Sequence, residues 1–142
     1  MKTKILSLLM LFAFVFLSCK KNEDNASVSL TSKTWKRALI DKNTATNPSG
    51  SVMYYARQDC EKDDTFKFGE DAKLIINKGS SKCDASEAQT LTKNYSFNAT
   101  TKELIINGDK FTLTEISKTQ LKYYTPLPTV SGNAQYLVYI FE

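Results

Sequence analysis

From Thr34 to the C-terminus, apolar and polar residues alternate nearly one by one, and this two-residue period constrains the chain more than any other feature. "DKFTLTEI" (109 to 116) sets Phe111 and Leu113 on one face and Lys110, Thr112 and Thr114 on the other, the signature of a half-buried strand. Similar segments are "TWKRALID" (34 to 41), "DTFKF" (64 to 68), "AKLIIN" (72 to 77), "TKNYSFN" (92 to 98), "KELIIN" (102 to 107), "TQLKYYT" (119 to 125) and "QYLVYIFE" (135 to 142). Turn residues at Gly69 to Asp71, Asn98 to Thr101, Asn107 to Asp109 and Ser117-Lys118 separate several of them at hairpin length. The pattern predicts an all-β domain of eight sequential antiparallel strands. An up-and-down meander closed into a barrel fits best, because closure removes both sheet edges. A two-sheet sandwich is the alternative.

One internal likeness supports the pairing. "FKFGEDAKLIINKG" and "YSFNATTKELIING" both run aromatic-x-aromatic, polar turn, Leu-Ile-Ile-Asn, and each reads as one hairpin. Ile75 and Ile105 interrupt the alternation and predict an outer face that is partly covered there. Three stretches exceed ordinary connections, Asn43 to Glu61, Lys78 to Thr90 and Pro126 to Asn133. Specificity is expected to reside in them.

The N-terminus has a different character. A short basic start is followed by "ILSLLMLFAFVFL", thirteen uncharged residues from Ile5 to Leu17. As a helix these would reach only about 20 Å, short of a ~30 Å hydrocarbon core. The stretch reads as a signal peptide over residues 1–18 rather than a membrane-spanning anchor. "FLSC" resembles the bacterial lipobox, in which the cysteine is acylated and becomes the first mature residue. Cys19 would then tie the protein to a membrane, and residues 19–32 would form a flexible tether ahead of a domain at 33–142. Lys21, Glu23 and Asp24 resemble an export signal for surface lipoproteins. The expected location is therefore the cell envelope, anchored in the outer membrane on its periplasmic face or at the cell surface.

Composition narrows the functions open to such a domain. Without residues 1–18 the chain loses Lys2 and Lys4 and keeps 17 basic against 15 acidic side chains, with no concentrated basic footprint for nucleic acid. The chain has no histidine, which removes the commonest general base and zinc ligand and argues against an enzyme. Beyond Cys19 the remaining cysteines are Cys60 and Cys83. In an oxidising compartment they are expected to pair, with two free thiols as the alternative. Asp59, Glu61, Asp63 and Asp64 cluster beside Cys60, but Lys62 lies among them and no EF-hand glycine is present, so a solvated strand entrance is expected rather than a metal site. No cofactor is expected.

Leu30-Thr31-Ser32-Lys33-Thr34-Trp35-Lys36 resembles the opening of bacterial lipocalin-like lipoproteins, and Cys60 to Phe68 (CEKDDTFKF) is similar to their Cys-x-Lys-Asp-Asp strand, with Cys83 at the place of their second cysteine. Lys33 departs from that pattern at the glycine position, as does Ala72 where an Asp-Gly turn is usual. The resemblance implies a lipocalin-like barrel that binds a small apolar or amphipathic molecule. Tyr95, Tyr123 and Tyr136 are candidate wall residues, since tyrosines offer an apolar ring and an orienting hydroxyl. The alternative is a surface module that contacts a protein or glycan through its long loops.

Overall fold

The computed structural model describes residues 29–129 and 132–142; the signal-peptide and lipidation readings, Cys19 included, lie outside them. Among the described residues, nine strands form one sheet: β1 (Trp35–Lys36), β2 (Ser51–Tyr54), β3 (Thr65–Phe68), β4 (Lys73–Asn77), β5 (Thr90–Asn98), β6 (Glu103–Ile106), β7 (Asp109–Ile116), β8 (Leu121–Leu127) and β9 (Gln135–Phe141). Their spatial order is β1-β3-β4-β5-β6-β7-β8-β9-β2.

The all-β expectation holds, whereas the eight-stranded, wholly antiparallel closed barrel does not. The sheet is mixed and curls as a half-barrel. The ninth strand, β2, lies within the stretch expected to be a loop, and it runs parallel to β9, with Ser51 opposite Gln135 and Tyr54 opposite Val138. Only the first half of the β9 edge is occupied by β2. Beside the last residues of β9, backbone bonds join Lys36 to Glu142 in both directions (3.0 and 2.8 Å) and Ala38 N to Ile140 O (2.9 Å). Segment 34–41 is thus strand only at its start, because after Ala38 it leaves to cross the outer face.

Alternation sorts the side chains. Trp35, Phe66, Phe68, Leu74, Ile76, Leu104, Ile106, Leu113, Leu121, Tyr123 and Phe141 form the concave core, joined by Leu30 from a 3-10 turn at Leu30–Ser32. Trp35 is wholly buried, and its indole N–H donates to the Leu30 carbonyl at 3.0 Å. Lys33 places Nζ 4.6 Å from the Trp35 ring centroid and donates to Lys118 O, so the departure from glycine supplies a cation over the tryptophan. The convex face carries a smaller cluster of Ala38, Val138 and Ile140, with Val52 and Tyr124 against it.

The internal likeness is realised in register. Phe68 pairs with Leu74 and Phe97 with Leu104, each two residues beyond a left-handed residue, Ala72 (φ 59°) or Lys102 (φ 61°). Asn107 (φ 53°) and Gly108 (φ 95°) form the tight turn between β6 and β7, the positive-φ pair that an Asn-Gly hairpin provides.

Cys60 and Cys83 form a disulfide. It closes the strand entrance, where Asp59 stays exposed as expected while Glu61, Asp63 and Asp64 act as clips. Asp64 is buried, ion-paired to Lys78 at 3.0 Å and bonded by Gly79 N at 3.1 Å. Asp63 accepts from Ser80 N and Oγ at 2.7 Å each, and Glu61 accepts from the Tyr55 hydroxyl at 2.9 and 3.1 Å and from Gln58 N. Among the described residues no group of three such side chains is arranged to hold a metal ion.

Candidate functional site

Along β5 every inward position stops at half-burial, including Leu91, Tyr95 and Phe97, while the matching positions of β4 and β6 are fully buried. The reason lies across the concave face. The centre is filled by an aromatic stack in which Tyr123 lies 5.1 Å from Phe111, 5.2 Å from Tyr139 and 5.3 Å from Phe141. That stack does not extend over the second half of β5. A groove of about 490 Å³ remains there, bounded by Tyr95, Phe97 and Ala99 on one side, Leu113 and Ile116 on another, and Leu30 at the end.

A bulge in β7 shapes one wall. Leu113 faces Tyr123 and Ile116 faces Leu121, but Glu115 pairs with Lys122, so the register shifts between Leu113 and Glu115. The extra residue, Thr114, restarts the alternation. Without the bulge, regular alternation past Leu113 would turn Glu115 into the core and Ile116 out of it. With it, Ile116 lines the groove, and the Glu115 carboxylate bonds to Gln120 Nε2 (3.0 Å) and Thr46 Oγ1 (3.1 Å).

The groove is an apolar trough with a polar rim. Tyr95 contributes its ring, because its hydroxyl already donates to Gly69 O at 2.8 Å and the ring meets Phe68 edge-on at 4.9 Å. Burial, then the charges of Asp71 and Glu70, push the Tyr95 phenol above its ordinary value, so it is a neutral donor at physiological pH. Lys102, Ser29 and Thr31 supply the rim. An apolar body with a polar end is the shape that such a lining accommodates.

The three candidate tyrosines separate. Tyr95 lines the groove. Tyr123 is buried within the stack, where burial pushes its phenol far up, and it supports the wall instead of lining it. Tyr136 points to the convex side, edge-on to Tyr124 at 5.1 Å. Phe97, Leu113 and Ile116 were not foreseen as site residues. Phe97 was available from alternation, two residues beyond Tyr95, whereas Ile116 depends on a bulge with no local sequence signal.

The convex side holds a polar node centred on a buried lysine. Lys122 is wholly buried, with Nζ 2.9 Å from Asp41 Oδ2 and from Asn47 Oδ1, and 3.9 Å from Glu115 Oε2. Gln120 donates to Asp41 and Glu115 and accepts from Lys42 N, and the Tyr54 hydroxyl donates to Asp41 Oδ2 at 2.9 Å. These bonds fasten segment 41–54 onto β7 and β8. Each charge meets its partner within the protein, which marks the node as structural.

In comparisons with family models, curated proteins and solved structures, the chain matches none.

Proposed function

We propose that this is a lipid-anchored envelope protein whose lipocalin-like domain binds a small apolar or amphipathic molecule in the groove between β5, β7 and the Leu30 turn. The groove itself carries this reading. Its volume of about 490 Å³ falls within the roughly 300–1,000 Å³ range of small-molecule sites, and it lies beside the aromatic stack around Tyr123. The membrane anchor rests on the N-terminal apolar stretch and "FLSC", and the lipocalin-like assignment on the motifs around Trp35 and Cys60. The β-rich fold with its Cys60–Cys83 bridge supports the second.

The test is native purification of the full chain, extraction and untargeted mass spectrometry of bound small molecules, repeated on Ala99→Trp. That substitution fills the groove from an exposed turn and leaves the core untouched. The expected result is a stoichiometric amphipathic compound in the parent and its loss in the variant. Added back at a hundredfold excess over Kd, the compound should stabilise the parent by about 2.7 kcal/mol, on the order of 10 °C in Tm for a domain of this size. An extract empty in both proteins, with no shift from added amphiphiles, would refute the reading.

A second reading has its own observation. Leu39, Ile40, Met53 and Tyr54 are exposed, Ile40 at 74% and Leu39 at 66%, on the segment that covers the convex face. Exposed apolar side chains of this size favour an interaction surface for another macromolecule. Replacing Leu39, Ile40 and Met53 with serine should abolish partner binding under that reading and leave groove occupancy unchanged.

A further inference from the structure

The chain has two arginines, Arg37 and Arg57, and the fold brings them together. Arg37 follows Trp35 by two residues, so alternation turns it to the concave side. Its guanidinium carbon lies 4.3 Å from the ring centroid of Tyr55, 4.8 Å from Phe141, 5.0 Å from Phe66 and 5.1 Å from Tyr139. Arg57 docks on its backbone, with Nη1 donating to Arg37 O at 3.3 Å.

What sets Arg37 apart is the company it lacks. The buried Lys122 and the half-buried Lys78 both meet carboxylates. Among the described residues, no carboxylate comes within 4.0 Å of either arginine. Arg37 Nε and Nη1 and Arg57 Nε are buried and donate to no group among the described residues. The nearby Glu61 is engaged by Tyr55 and Gln58. Aromatic faces attract a cation, but they do not replace the hydrogen bonds of a guanidinium, and a buried donor left unmade is costly.

We propose that Arg37, backed by Arg57 and walled by Tyr55, Phe66 and Tyr139, binds the carboxylate of a small organic acid with an aromatic or aliphatic body. The planar fork of a guanidinium matches a carboxylate in two parallel bonds, and the rings supply an apolar wall for the body. The Glu61 charge on the far side of Tyr55 disfavours a dianion such as phosphate. None of these residues lines the β5–β7 groove, so this site stands apart from the one proposed above.

The test uses the two arginine Nε–Hε signals of the full chain, labelled with nitrogen-15 and titrated with sodium benzoate. Benzyl alcohol, sodium chloride and inorganic phosphate serve as controls. The Arg37 signal is assigned by its loss in Arg37→Lys or, should that variant not fold, by elimination with Arg57→Lys. It should move saturably with benzoate and with none of the controls. Arg37→Lys, followed through the backbone amides of Tyr55 and Tyr139, should bind benzoate about tenfold more weakly or worse. An Arg37 signal that ignores benzoate, or that follows chloride, phosphate or the alcohol equally, would overturn the proposal. So would undiminished affinity in Arg37→Lys.

Discussion

Replacing Lys122 with methionine nearly preserves the side-chain volume and removes its charge, and the structure allows the outcome to be worked through. Lys122 Nζ is the cation shared by Asp41, Asn47, the Asn43 carbonyl and, at longer range, Glu115. Methionine would leave the Asp41 carboxylate, only 5% exposed, without its counter-charge. Breaking a buried pair from one side costs about 3–5 kcal/mol. In a domain whose total stability is roughly 5–15 kcal/mol, that is a loss on the order of 15 °C in Tm.

The acid limb of stability gives an independent reading of the same node. Burial works against the charged form of Asp41, but hydrogen bonds from Lys122, Asn43, Tyr54 and Gln120 outweigh it and hold the carboxyl at about 2, against an ordinary 3.8. The folded state is then the stronger acid. Its stabilisation is fully present above the unfolded value and is lost as pH falls through about 2. The depression corresponds to a contribution on the order of 2 kcal/mol. In Lys122→Met the principal lowering contact is gone, so stability should fall less steeply between roughly pH 5 and pH 2 than in the parent. Urea unfolding at a series of pH values measures both effects. A loss below about 1 kcal/mol at neutral pH, or an acid limb as steep as the parent's, would refute the reasoning.

Other perturbations have outcomes of known sign. Reducing the Cys60–Cys83 bridge, which spans a sequence separation of 23, should lower stability by roughly 3 kcal/mol, seen as separate melts with and without reductant. Ala72→Gly should raise stability by about 0.5–1 kcal/mol, because alanine at φ 59° is strained where glycine is not, and the urea midpoint should rise at unchanged slope. Gly79→Ala should lower stability by roughly 1–3 kcal/mol. Its Cβ would fall 1.9 Å from the Asp63 carboxyl carbon, so the Asp63–Ser80 bonds must break, and faster amide exchange at Ser80 would report it.

Much of the sheet was legible because its information is local. The repeated Leu-Ile-Ile-Asn segments marked two hairpins and Asn107-Gly108 a third turn, while the pairing of Phe68 with Leu74 and of Phe97 with Leu104 is what the structure adds. β2 was not legible. "SVMY" is four residues long and follows Asn-Pro-Ser-Gly, and Val52 and Tyr54 alone are too few to set it apart from the long polar stretch around it. It becomes a strand because β1 leaves the first half of the β9 edge open and the Lys122 node fastens the chain preceding it over β8. That is a tertiary cause acting on a segment with little preference of its own.

The tyrosines show where sequence reasoning about the site stops. Tyrosine chemistry nominated Tyr95, Tyr123 and Tyr136 alike, and the sheet divides them, Tyr95 and Tyr123 on the concave face and Tyr136 on the convex one. Alternation does not tell how deep the concave face is filled. Depth depends on what comes from across the sheet: Phe111, Tyr139 and Phe141 close over Tyr123, while opposite Tyr95 the bulge at Thr114 substitutes Ile116 for Glu115 and leaves a trough. The same limit hid Arg37. Its inward direction followed from Trp35, but its isolation from every described carboxylate emerges only when Tyr55, Glu61 and β9 are assembled around it. Groups able to hold a ligand here are those left over after the core and the node have satisfied themselves, and what is left over is a property of the whole fold.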